Sequence, residues 1–494
     1  MTNPKSTTTV ALVGLLVVVA LGSSACGTKQ GATAMSATRG TPAQRAIYGA
    51  EAALAGPVTT GHVIEPLSAH GLELAVNGYT EQEFFASGTA HAFKATSSPR
   101  AGKWSVTPTT SASYQTRILV RRPTDPAHFN GTVVVEWMNV SSGESAPDWD
   151  YLNPSLMRDG YAYVAVSAQS LGVDGGTPIL GSAAGGSNGG LVGAEPDRYG
   201  TLHHPGDQYA MDMFAQIGTA LRAPKGSVLG GLRPKQVVAT GESQSAFYLT
   251  TFADALQPLT GAFDGIFIHS RGGAGAPLSG SSITSSQGVS GLQIRTDLNV
   301  PVFIFETQTD LVELGYAAAR QPNTNRIRTW EVAGTSHADE YLVGPAASLL
   351  GCTTAVNAGP QHEVVQAAFA AFHTWVTDGT PPAEPPPFRL DGTNPVALAL
   401  DGHGNVIGGV RTPAVDVPVS TLSGAAPPGA SVICALFGST TPFSESTLVG
   451  LYRNRSNFVA SYQASLDKAI AGGYILKADR AGLLAQAQQV AFPS

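Results

Sequence analysis

This sequence predicts a mostly parallel α/β sheet with helices on both faces, and two observations carry the prediction. Six short, nearly continuous apolar runs rich in Val, Ile, Phe and Tyr recur through the middle of the chain. They are GTVVVEWMNV, YAYVAVSAQ, KQVVATGES, DGIFIHSRG, VPVFIFETQTD and IRTWEVAGTSH. Runs of this kind suit strands covered on both sides, as in parallel sheets. Between several of them lie segments of helical period, and alternation of strand and helix builds such a sheet.

Composition fits a large globular core. Of the 494 residues, 43% are hydrophobic and only 13% charged, with 57 Gly and 33 Pro for a loop-rich chain. The formal net charge is −7 and no basic run occurs, which sets nucleic acid aside as a partner.

The N-terminus, MTNPKSTTTVALVGLLVVVALGSSACG, has one lysine (Lys5), an apolar run from Val10 to Leu21 and small residues before Cys26. That run is about 12 residues, shorter than the ~20 a spanning helix needs, and has the layout of an export signal. Residues 1–25 are expected to be this signal, and the Gly-, Ala-, Thr- and Ser-rich residues 26–55 a flexible tether. Small residues ending at a cysteine resemble the lipobox of bacterial lipoproteins, whose cysteine becomes the lipidated first residue. Ser23 stands where that motif usually has leucine. The alternative is ordinary cleavage after Ala25 and a free secreted protein. If Cys26 carries lipid, Cys352 and Cys434 remain, an even number in an oxidising compartment, and a Cys352–Cys434 disulfide is expected.

Residues 56–379 form the expected core. From about 60 to 122, alternating runs such as GLELAVNGYTEQEFFASGTA and YQTRILVRRP predict antiparallel strands ahead of the parallel ones. After GES, Leu249, Phe252, Ala253 and Leu256 make one helical stripe. Val365, Ala368, Phe369, Phe372 and Val376 make another, stopped by Asp378-Gly379 before Pro381. Past the Pro-rich TPPAEPPPFR, residues 380–494 change style. ALALDGHGNVIGGVR predicts a hairpin and SESTLVGLYRNRSNFVASYQASLDKAIAGGY two helices, an appendage to the core and a candidate lid.

Two serines compete for the role of nucleophile. GGSNG (Gly185 to Gly189) spells the G-x-S-x-G turn letter for letter, whereas GESQS (Gly241 to Ser245) ends in serine. The motif works when a strand ends in a tight turn and a helix begins, lifting the serine above the sheet edge. GGSNG has neither strand before it nor helix after it, so Ser187 is expected in a loop. GESQS has both, so Ser243 is the expected nucleophile.

A serine hydroxyl needs a base, and the base an orienting acid. In this kind of sheet the chain order is serine, acid, histidine, each at the C-terminal end of a strand. Asp310 follows VPVFIFETQT, and His337 follows IRTWEVAGTS. Glu306 at the strand end is the alternative acid; the loop position favours Asp310. One oxyanion donor is expected from the Gln244 N–H and a second from Asn139 or Val140.

Other features are weaker. Adjacent histidines in HHPGD (His203, His204, Asp207) rarely converge on one ion, and no third ligand set has zinc-type spacing, so no metal is expected. HEVVQ lacks the second histidine of H-E-x-x-H and is a helix start. Arg271 in HSRGG either binds a substrate carboxylate or braces its loop. Glu242 either orients neighbouring loops or makes a structural ion pair.

GESQSAFYLTTF, DGIFIHSRGG, FETQTD and EVAGTSHAD together resemble the α/β-hydrolase superfamily. With YGTLHHPGDQYAMDMFAQIG, EWMNVSSG and CALFGSTTPFSESTLVGLY they resemble the large bacterial "alpha/beta hydrolase domain" proteins, over about residues 60 to 490. The resemblance implies an α/β-hydrolase fold and a serine hydrolase acting through Ser243, Asp310 and His337, and no single substrate. The expectation is an exported carboxylic ester hydrolase needing no cofactor, acting on a small-molecule or lipid-like ester. It would meet the membrane only through the N-terminal lipid. The same triad could cleave amides, and a binding protein on a dead hydrolase scaffold is the alternative of another class.

Overall fold

All six apolar runs are strands of one nine-stranded sheet in the computed structural model, which describes residues 48–67, 73–181, 189–283, 289–427 and 429–492. The export signal, Cys26 and Ser187 lie outside these residues. In chain order the strands are β1 (Ala53–Ala55), β2 (Tyr79–Ser97), β3 (Ser105–Pro123), β4 (Thr132–Trp137), β5 (Ala162–Val166), β6 (Gln236–Glu242), β7 (Gly265–His269), β8 (Val302–Glu306) and β9 (Ile327–Glu331). Their spatial order is β1-β2-β3-β5-β4-β6-β7-β8-β9. The first four are antiparallel neighbours, and from β5 through β9 every pair is parallel.

Side chains alternate across a strand, so a continuous apolar run feeds both faces. Val133, Val135, Ile266, Ile268 and Ile304 join one core, with Phe214 and Leu221 of α2 (Ala210–Arg222) and Leu249 and Phe252 of α3 (Gln244–Ala255). Val134, Phe267, Phe303 and Phe305 join the other. There they meet Leu152 and Leu156 of α1 (Pro147–Arg158) and Phe369 and Phe372 of α5 (Gln361–Asp378). Between α3 and α5, the single turn α4 (Gln308–Val312) follows β8. This is the α/β-hydrolase fold.

The C-terminal residues share both cores. Phe388, Val415 and Leu422 pack into the first, and Leu466, Ala469 and Leu483 into the second. Helices α6 (Glu445–Tyr452) and α7 (Arg455–Ala471) match the two expected, and α8 (Arg480–Gln489) adds a third. The expected hairpin pairs across DGHGN: Leu400 bridges Val406 antiparallel, with the Asp401 N–H donating to the Asn405 carbonyl at 2.8 Å and the Ile407 N–H to the Ala399 carbonyl at 2.9 Å. A second pairing just upstream joins Leu390–Thr393 to Val396–Leu398 across Asn394-Pro395. Cys352 and Cys434 have their sulfurs 2.09 Å apart, tying the short helix Val432–Phe437 to the segment before α5. Among the described residues no helix is long and apolar enough to cross a membrane.

Candidate active site

Between the end of β6 and the start of α3 stands a single residue, Ser243, with φ 57° and ψ −120°. A side chain in that backbone region is strained by about 1–3 kcal/mol, a strain held by what surrounds it. The Ser243 N–H donates to the His269 carbonyl on β7 at 3.0 Å, locking the turn to the neighbouring strand. Helix α3 turns back closely: a Cβ on Gly241 would lie 2.9 Å from Ser245 Cβ and 3.1 Å from Leu249 Cδ1. Glycine is therefore required at the first position of the motif. At the fifth, Ser245 fits, with its buried hydroxyl unpartnered.

From the loop after β9, His337 Nε2 comes within 2.7 Å of Ser243 Oγ. Its Nδ1 lies 2.7 Å from Asp310 Oδ1. The arrangement calls for the tautomer in which Nδ1–H donates to the carboxylate and Nε2 accepts from the serine. Asp310 is fixed by a capping box at the start of α4, where its Oδ2 accepts the Thr307 N–H and the Thr307 hydroxyl, each at 2.7 Å. Burial pushes the Asp310 carboxyl up, but the hydrogen bond and charge of His337 and the two Thr307 bonds outweigh it and hold it below its usual range. Burial likewise pushes the His337 imidazole down, and Glu242 followed by Asp310 more than reverse this.

The alternative acid is elsewhere. Glu306 is fully buried, neither carboxylate oxygen has a hydrogen-bond partner, and burial followed by the nearby Asp310 charge drives its pKa well upward. Arg271 is also fully buried. Its guanidinium donates to the Gly272 and Leu292 carbonyls and lies 5.6 Å from the Tyr316 ring centroid, which is the loop-bracing role.

The oxyanion donors divide. Gln244 N–H is the first amide of α3, with no preceding helical carbonyl to bind. Asn139 does not offer a free amide. Its N–H donates to the Ser145 carbonyl at 2.9 Å, closing the loop after β4, and its side chain donates to the Glu242 carbonyl at 3.2 Å. The Val140 N–H donates to Gln244 Oε1 at 2.9 Å. A substrate oxygen would have to displace that side chain to reach it.

Residues far apart in sequence support the loops that carry Asp310 and His337. The His337 N–H donates to Thr309 Oγ1 at 3.1 Å, and that hydroxyl donates to the Gly424 carbonyl at 2.6 Å. Gly424 N–H donates to Gln308 Oε1 at 2.6 Å. The Ala338 N–H donates to the Leu436 carbonyl, and the Ser336 hydroxyl, which donates to the Ala338 carbonyl at 2.6 Å, lies 3.2 Å from the Phe437 carbonyl. The C-terminal segment thus braces both the acid loop and the histidine loop. No local pattern in the sequence signals these contacts. A second buried pair, His269 Nδ1 to Asp148 Oδ1 at 2.7 Å, lies at the end of β7 and was equally silent. His204 of HHPGD accepts the Gly206 N–H at Nδ1 and has Nε2 3.0 Å from the Ala168 carbonyl. Among the described residues no group of His, Cys, Asp or Glu is arranged to hold a metal ion.

A family model described as "Alpha/beta hydrolase domain" matches residues 54–485. No curated protein matches the sequence. Similar solved structures include one of two fungal esterases from Rhizomucor miehei, at 10% identity over 59% of this chain and 86% of the other, TM-score 0.31. A glucuronoyl esterase from Solibacter usitatus matches at 11% identity over 59% and 86%, TM-score 0.26. Another, from Teredinibacter turnerae, matches at 13% identity over 60% and 77%, TM-score 0.28.

Proposed function

We propose, for a chain that belongs to the alpha/beta hydrolase domain family, that it is an exported serine hydrolase cleaving carboxylic esters through Ser243, His337 and Asp310. One observation carries this reading: the unbroken line from Ser243 Oγ to His337 Nε2 and from His337 Nδ1 to Asp310, 2.7 Å at each step, with the serine on a strained strand-to-helix turn.

In this reading His337 Nε2 takes the hydroxyl proton as Ser243 Oγ attacks the ester carbonyl. Charge on the carbonyl oxygen is met by the Gln244 N–H at the positive end of α3. The imidazolium, oriented by Asp310, then gives its proton to the departing alcohol, leaving an acyl-serine. A water molecule, deprotonated by the same nitrogen, releases the acid and restores the serine. Every proton moves through His337 Nε2, so no cofactor is needed.

Export and lipid attachment at Cys26 complete the reading and rest on Lys5, the apolar run Val10 to Leu21 and the small residues before the cysteine. The chemistry is tested by treating the folded protein with a fluorophosphonate probe and a panel of p-nitrophenyl esters, beside Ser243→Ala. Label on Ser243 and hydrolysis that vanishes in the variant are expected. Label on another residue, or ester hydrolysis surviving in Ser243→Ala, overturns the reading.

A further inference from the structure

His337 has a carboxylate beside each of its nitrogens. Asp310 binds Nδ1, which is enough to set the tautomer. Glu242, the last residue of β6, brings Oε1 to 3.4 Å from Nε2, the nitrogen that also bonds Ser243 Oγ. Its side chain is only 4% exposed, so this is a close, water-poor approach between two groups that can carry opposite charge. At 3.4 Å the contact is longer than an ordinary hydrogen bond, so Glu242 does not displace Ser243 from Nε2.

Glu242 is itself held in place. Asn139 Nδ2 lies 3.4 Å from its Oε2 and donates to its backbone carbonyl at 3.2 Å. On β7 the residue in register with it is His269, buried and bonded to Asp148, and Asp148 also accepts the Thr240 hydroxyl. Acid and base therefore alternate along the C-terminal edge of the sheet: Asp310, His337, Glu242, His269, Asp148.

We propose that Glu242 is a positioning residue for the reaction, acting through His337: its carboxylate stabilises the imidazolium formed at Nε2 when the Ser243 proton is taken. This rests on the serine hydrolase reading. Charge appears on the imidazole at the nitrogen Glu242 faces, and in a buried site such an attraction is far stronger than in water. Burial drives the Glu242 carboxyl up to about 7; His337 and His269 pull it down, while Asp148 and Asp310 push it up. Tyr151 of α1 is a further titratable neighbour, its own pKa raised by burial, Asp339 and Glu242. Glu242 is also the largest of the influences that raise His337. Removing its charge therefore lowers the pH at which His337 becomes a base and weakens the imidazolium it forms.

The test is the rate of fluorophosphonate labelling of Ser243 from pH 5 to 10 in wild type, Glu242→Gln and Glu242→Asp. Glutamine keeps the shape and the acceptor for Asn139 but removes the charge. Its half-maximal rate is expected about one unit lower in pH, with a plateau slower by about tenfold or more. Aspartate keeps the charge at shorter reach and is expected between the two. A purely structural role would change the fraction of protein that labels or its melting temperature without moving the midpoint. A glutamine variant whose midpoint and plateau match wild type overturns the proposal; should that variant not fold, an aspartate variant matching wild type does so. Wild type that takes no label at any pH overturns the hydrolase reading itself, and this proposal with it.

Discussion

Asp310 and Glu306 stand four residues apart and have opposite environments. Asp310 has the His337 imidazole and two bonds from Thr307, which hold its carboxyl below its usual range; at Glu306 burial and the nearby Asp310 charge outweigh Arg271 and drive the carboxyl well upward. Asp310→Asn is expected to lower kcat by about a thousandfold or more, because the imidazole loses the acceptor that fixes its tautomer. Glu306→Gln should leave kcat unchanged. Steady-state hydrolysis of one p-nitrophenyl ester by both variants checks this, and the reverse ranking would make Glu306 the acid. Ser245→Ala, which removes a buried unpartnered hydroxyl, is expected to leave activity intact and stability level or slightly higher. Chain order and strand ends brought Ser243, Asp310 and His337 into view from the sequence. The oxyanion loop was not legible, because whether the Asn139 amide is free depends on Ser145 closing back onto it.

At the scale of elements, strand, turn and helix around Ser243 form a unit with no spare room. Gly241→Ala puts a methyl where Ser245 Cβ and Leu249 Cδ1 already stand, and α3 must shift to admit it. A loss of about 1–3 kcal/mol in chemical unfolding is expected, together with a drop in kcat, because the Gln244 N–H moves with the helix. The parallel strands were legible because each is a continuous apolar run. Strands β2 and β3, 19 residues each, were legible only in part. Their outer halves are rich in Ser, Thr and Ala and mostly exposed, and it is pairing with each other, through Ser97 and Ser105, that makes them strands. The disulfide acts at this scale too. The helix Val432–Phe437 that Cys434 anchors supplies the Leu436 carbonyl to the histidine loop and sets that of Phe437 beside Ser336. Replacing Cys352 and Cys434 together by Ala is expected to reduce stability by about 2–4 kcal/mol and to lower kcat more than it raises KM. Equal kcat in the double variant would show that the loop is held without the crosslink.

Across the whole molecule, burial has left several acids holding protons near neutrality. Glu242 and Asp339 are pushed up to about 7, and Glu363 to about 8. In the unfolded chain all three ionise near pH 4. Between pH 6.5 and 8 the folded protein therefore binds more protons than the unfolded one, and stability falls as pH rises. Histidines whose pKa is lowered by burial, His204, His362 and His373, act below this window, where the unfolded chain gains protons they refuse. The melting temperature is expected to be lower at pH 8.5 than at pH 6.5 at constant ionic strength; a rise across that interval would contradict these buried acids. None of this is visible in composition, since the same carboxylates on a surface would titrate normally.

The brace from Gly424, Leu436 and Phe437 has a consequence for the timing of activity. A polypeptide stopped before residue 424 already contains Ser243, Asp310 and His337, yet lacks the carbonyls that secure the loops bearing two of them. The loops bearing Asp310 and His337 are therefore secured only once residues 424–437 have folded back onto them. A molecule truncated before residue 424 would carry its chemistry unarmed.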